Sequence, residues 1–191
     1  MKKLLLAVLC VVGLCAMSTA TPDNDDRNTF HATLRGINET PGPVATQATG
    51  SLHATLSSDG TTLSYTLTYS NLNAQVTQSH IHFGFSKETG GIMVWLCQTT
   101  AAPAPAGDPG VPTCPDTTAG TVSGTITAAN VVGPNGQGIT PGTDFDKVIQ
   151  AIREGASYAN LHSSRSPGGE IRGVVRVGDG DRDDRHERHE R

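Results

Sequence analysis

The chain has 191 residues, 36 % of them hydrophobic but only 4 % aromatic, with 22 glycines and 14 Lys plus Arg against 18 Asp plus Glu. This mildly acidic balance excludes the basic footprint of a nucleic-acid binder. Four cysteines are too few for a small disulfide scaffold and carry no C-x-x-C redox spacing.

Lys2 and Lys3 precede the apolar run "LLLAVLCVVGLCAM" (Leu4 to Met17), and Ser18 and Ala20 suit the small −3 and −1 positions of a cleavage site. Residues 1–20 are therefore expected to be a secretory signal peptide, delivering the chain to the periplasm or the extracellular space. The run is too short for a comfortable membrane span, so no span is expected after cleavage. A lipoprotein signal anchored at Cys15 is the alternative, and Leu14 before it is large for such a site. Without these residues the balance is 12 basic against 18 acidic residues. The remainder, about 170 residues, suffices for one domain with its own core.

Residues 21–28, "TPDNDDRN", read as a polar leader. Short alternating runs follow, the pattern of antiparallel strands. "TFHATLRG" offers Phe30, Ala32 and Leu34; "GSLHATLS" offers Leu52, Ala54 and Leu56; "TLSYTLTY" offers Leu63, Tyr65, Leu67 and Tyr69. Asp59-Gly60 between the last two suits a hairpin turn, because glycine accepts the positive φ such turns need. In "SHIHFGF" His80 and His82 alternate with Ile81 and Phe83, so a strand sends both imidazoles to one face. "GGIMVWLC" is apolar on both faces and predicts a strand covered on both sides.

Once the leader is removed, Cys97 and Cys114 remain, and an exported chain is expected to pair them across the Pro-rich loop 98–113. "GTVSGTITA" is a further strand. "TDFDKVIQAIREG" switches period: Phe145, Val148, Ile149 and Ile152 predict one short amphipathic helix, with Thr143 as N-cap and Gly155 as terminator. "SYANLH" and "GGEIRGVVRV" return to alternation. The first places Tyr158, Asn160 and His162 on one face; the second groups Glu170 with Arg172. About eight strands and one helix predict an all-β, antiparallel Greek-key sandwich or barrel.

Residues 178–191, "GDGDRDDRHERHER", have nothing apolar to bury and read as a disordered tail. Asp179, Asp181, Asp183 and Glu190 have calcium-loop spacing, but Asp184 stands where that loop needs glycine. His186 and His189 offer weak metal affinity at most. Asn38-Glu39-Thr40 is a formal glycosylation sequon followed by Pro41. No G-x-S-x-G elbow, P-loop or H-E-x-x-H motif is present.

Residues 29–177 resemble the CHRD domain, a module named from the animal protein chordin and found in bacterial secreted proteins. The resemblance rests above all on "SHIHFG" and "YANLHSSRSPGGEIRG", similar to the family's Tyr-x-Asn-x-His and Pro-x-Gly-Glu-Ile-Arg-Gly, with Ser163 where threonine is usual. It implies an extracellular, non-catalytic binding or structural module whose partner is an unidentified extracellular protein or surface ligand. The order "HIH", "ANLH", "GGEIRGVV" is more weakly similar to copper/zinc superoxide dismutase. By that likeness His80, His82 and His162 would be copper ligands and Arg172 an anion-guiding arginine. A bridging histidine has no clear counterpart, and zinc ligands are not evident in "FSKETGG".

Two readings of the histidines stand side by side. His80, His82 and His162 could hold copper or zinc, with Glu170 as a further ligand or as an acceptor behind one. Alternatively they join Tyr158, Asn160, Glu170 and Arg172 in a hydrogen-bonded or salt-bridged network that shapes the sheet without any ligand.

Overall fold

The computed structural model describes residues 27–178, so the expected signal peptide, most of the polar leader and the charged tail after Gly178 lie outside the described residues. The strands are β1 (Thr29–Arg35), β2 (Thr49–Leu56), β3 (Leu63–Ser70), β4 (Val76–Phe83), β5 (Gly91–Cys97), β6 (Gly120–Ile126), β7 (Ser157–Ser163), β8 (Ile171–Val174) and β9 (Arg176–Val177). They form one antiparallel sheet in the order β5-β4-β7-β8-β1-β2-β3-β6, with β9 continuing alongside β1. The sheet curls into a nearly closed barrel. Tyr65 of β3 reaches across the seam to donate to the Leu96 carbonyl of β5 at 2.5 Å, and Val132, in the segment after β6, donates to Met93 at 2.9 Å. Buried donors and an otherwise open strand edge are thereby satisfied together.

Alternation sets which residues enter the barrel. Leu52, Ala54 and Leu56 of β2, and Leu63, Tyr65, Leu67 and Tyr69 of β3, are all buried in one core. Between them stand His53 and exposed threonines and serines, some bonded across strands, such as Thr66 to Ser123 at 2.9 Å. Half of the barrel therefore faces solvent on its outside. The other half does not: all seven residues of β7 are buried, and so are Met93 to Cys97 of β5.

The expected helix is α1 (Phe145–Arg153), the only α-helix among the described residues. Its cap differs by one position, being Asp144 rather than Thr143. The Asp144 carbonyl accepts the first intrahelical bond, from the Val148 N–H at 3.3 Å, while its carboxylate accepts from the Thr140 N–H and from Lys147 rather than capping a helix N–H. The end is as the sequence suggests. Gly155 takes φ 68° and donates to Ile152, while Ala156 donates to Ala151, satisfying the last carbonyls. Phe145, Val148, Ile149 and Ile152 join the same core as the strands.

Cys97 and Cys114 are bonded, with Cα atoms 5.0 Å apart. The loop they close is also knitted by Gln98, which accepts from Ala104 N–H at 2.8 Å and donates to the Val111 carbonyl at 3.1 Å.

Candidate metal centre

β4 and β7 are neighbours, and their register sets His82 opposite Tyr158, His80 opposite Asn160 and Gln78 opposite His162. His162 is thus the diagonal neighbour of His80 on one sheet face, at the spacing where long side chains touch. The imidazole centroids of His80 lie 5.0 Å from His162 and 5.4 Å from His82. One nitrogen from each ring lies within 4.8 Å of the other two. A point central to such a triangle is at most about 2.8 Å from each nitrogen, against the roughly 2.0–2.1 Å of a metal–imidazole bond, so small ring shifts close the site.

Two of the rings are held by loop carbonyls. His82 Nδ1 bonds the Gly90 carbonyl at 2.9 Å, and His162 Nδ1 bonds the Pro167 carbonyl at 2.9 Å. A carbonyl only accepts, so both Nδ1 atoms carry the proton, and in a neutral ring Nε2 then presents a lone pair. Carbonyl-braced imidazoles of this kind are how proteins orient metal ligands. The Nε2 atoms of His82 and His162, and both ring nitrogens of His80, are buried with no hydrogen-bond partner among the protein groups.

Burial is the main cause that keeps these rings uncharged. It holds His80 far below its ordinary value of 6.5, at about 2, with His162 and His82 adding to the effect. Burial lowers His82 to about 4; the Gly90 bond opposes this, while His162 and Arg172 add to it. Burial also lowers His162, against its bond to Pro167.

Aromatic and cationic groups surround the cluster. Trp95 meets His80 edge-on at 4.2 Å, and Tyr158 stacks on His82 at 4.8 Å with rings 5° from parallel. The Arg172 guanidinium lies 3.3 Å from the centre of the Tyr158 ring. It donates to the Phe85 and Glu88 carbonyls at 2.9 and 2.6 Å and to Thr40 Oγ1. Arg172 is 3 % exposed and braces the loops over the site, so the structure does not give it the open, anion-guiding position that the dismutase likeness implies.

Glu170 stands elsewhere. β8 begins at Ile171, so the strand alternation that would place Glu170 beside Arg172 does not extend to it. Its carboxylate accepts from Thr46 Oγ1 at 2.8 Å, from Asn73 N–H at 2.7 Å and from Ser163 Oγ. Ser163 adjoins His162 on β7 and points to the opposite side of the strand. Glu170 thus ties β7 to the loops before β2 and after β3, and it is absent from the group that can hold an ion.

Asn160 joins a different carboxylate, donating to Glu39 at 2.7 Å. Burial pushes Glu39 up to about 7, against the lowering effect of Arg172. The sequon is taken up by the same brace: Asn38 Nδ2 donates to the Arg172 carbonyl at 3.1 Å, and Thr40 accepts from Arg172.

Glu39, Trp95 and the carbonyls of Gly90 and Pro167 escape a reading of the sequence. The pairing of β4 with β5 shifts register between Ser79 and His80 and again between Ile81 and His82, and these irregularities set Trp95 against His80.

No curated protein matches the chain. A family model described as "CHRD domain" matches residues 30–175, which contain the whole histidine cluster and its braces. The chain belongs to the CHRD domain family.

Proposed function

We propose that this is an exported, non-catalytic CHRD-domain protein whose domain is a binding module, and that its ligand is one transition-metal ion held by His80, His82 and His162. The observation that carries the reading is the convergence, from two adjacent strands, of one buried imidazole nitrogen without a protein partner from each of three rings. A purely structural network should have used them, since each buried polar atom left unpaired costs about 1–3 kcal/mol. His82 and His162 use one nitrogen each on the framework and turn the other inward, the arrangement a ligand needs. Copper and zinc both suit imidazole donors. Export to an oxidising compartment agrees with the Cys97–Cys114 bond and with the leader-like first 20 residues.

The test is metal content by plasma mass spectrometry of the exported chain, purified without an affinity tag. His186→Ala and His189→Ala are introduced to silence the tail. Near one equivalent of copper or zinc is expected, falling below about a tenth in His80→Ala and in His162→Ala, since two imidazoles alone hold an ion far less tightly. A folded protein that neither carries nor takes up either metal would make the cluster structural.

A further inference from the structure

Resting on the metal-binding reading above, we infer that the ion this site selects is copper(I), held by three imidazoles alone, rather than zinc(II) or copper(II). Three features of the site point the same way.

The donor set is neutral and closed. The protein offers three uncharged imidazoles, and no carboxylate or thiolate joins the group among the described residues. The nearest candidates are committed: Glu170 to Thr46, Asn73 and Ser163, and Glu39 to Asn160. Cys97 is in a disulfide. No anionic ligand is available to offset the second charge of a divalent ion, and the cost of burying charge grows steeply with its magnitude.

The site is also dry. The uncommitted nitrogens are shielded from solvent, and Trp95 and Tyr158 pack against the His80 and His82 rings. Zinc sites with three protein ligands complete a tetrahedron with water, and copper(II) asks for a tetragonal set of four or more. Copper(I) is satisfied by three donors in a plane and asks for no water.

A fixed cation lies close by. Through Tyr158, Arg172 stands within about 8 Å of the His82 ring. An ion on a ring nitrogen lies about 3 Å beyond the ring centre, so within about 11 Å of the guanidinium; at an effective dielectric of about 20, a second unit of charge there is worth roughly 10-fold in binding. His82, Tyr158 and Arg172 thus form a stack that tunes the site toward the lower charge.

The experiment uses the exported chain carrying His186→Ala and His189→Ala, with the disulfide intact. Copper(I) affinity is measured anaerobically by competition with bicinchoninate, with ascorbate as reductant because it spares the disulfide. Zinc(II) and copper(II) affinities are measured by competition with chromophoric chelators in the same buffer, and the copper(I) complex is examined by X-ray absorption. The expected result is copper(I) bound at least about 10-fold more tightly than zinc(II), with three nitrogen neighbours and no fourth ligand. Zinc(II) or copper(II) binding as tightly as copper(I), or a four-coordinate copper(I), overturns this inference while leaving metal binding intact. Failure of all three ions to bind more tightly than they do to His80→Ala overturns the underlying reading as well.

Discussion

Burial keeps His80, His82 and His162 neutral in the folded chain, whereas in the unfolded chain each takes up a proton near its ordinary value of 6.5. The folded protein then binds fewer protons than the unfolded one below about pH 6.5. The stabilisation these rings contribute is complete above that value and lost as the pH falls toward their lowered folded values. Each ring contributes a limiting slope of about 1.4 kcal/mol per pH unit. Glu39 works the other way. Its carboxyl is raised from 4.5 to about 7, so its contribution is present below pH 4.5 and lost as the pH rises through 7. Urea unfolding of the metal-free protein between pH 8 and 4 should show stability falling below pH 6.5, and Glu39→Gln should make the fall steeper between pH 7 and 4.5. A flat profile from pH 7 to 5 in Glu39→Gln, where the opposing carboxyl is gone, would show that the rings take up protons in the fold as they do in the unfolded chain. The histidines were legible in the sequence because a period of two places His80 with His82, and Tyr158 with Asn160 and His162, whichever way the strands pair. Glu39 was not, since it sits in a loop after β1 and acquires its role only when Asn160 and Arg172 arrive from more than a hundred residues away.

The β4–β5 hairpin is the element that shapes the site, and its connecting loop holds more than its sequence shows. Gly90 accepts from His82 through its carbonyl and donates through its N–H to Tyr158 Oη at 3.1 Å, fixing both members of the stacked pair. The backbone can come this close only without a side chain, since a Cβ at Gly90 would fall 1.7 Å from the Phe83 carbonyl oxygen. Gly90→Ala should therefore shift the loop, cost about 2–4 kcal/mol of stability, and free the His82 ring. The check pairs denaturant unfolding with the imidazole Nδ1–H proton resonances. The His82 signal should broaden or vanish in Gly90→Ala while that of His162, braced by Pro167 from another loop, persists. An unchanged His82 signal would mean that Gly90 is not its brace. The sequence announces the second strand of this hairpin as apolar on both faces but cannot give the register, because irregular pairing at His80 and His82 depends on contacts from both neighbouring strands.

At the scale of the whole molecule, alternation and turn chemistry specify which residues face inward, and so the all-β class is written locally. Closure is not. It depends on Tyr65 reaching Leu96 across the seam and on the segment after β6 bonding β5, contacts between distant parts of the chain. The disulfide lies at the end of β5, beside that seam, and two mechanisms for its contribution can be separated there. If it acts by restricting the unfolded chain, a loop of this size stabilises by roughly 3 kcal/mol, or about 6–12 °C in Tm for a domain of this length. The native loop should then survive without it, because Gln98 already bonds Ala104, Val111 and the Cys114 N–H. The doubly substituted chain Cys97→Ala, Cys114→Ala should accordingly lose global stability while its Ala104 amide stays protected from hydrogen exchange relative to the new global limit. If the Ala104 amide instead exchanges freely under native conditions, the bond shapes the folded loop itself, and the Gln98 network is its consequence rather than an independent support.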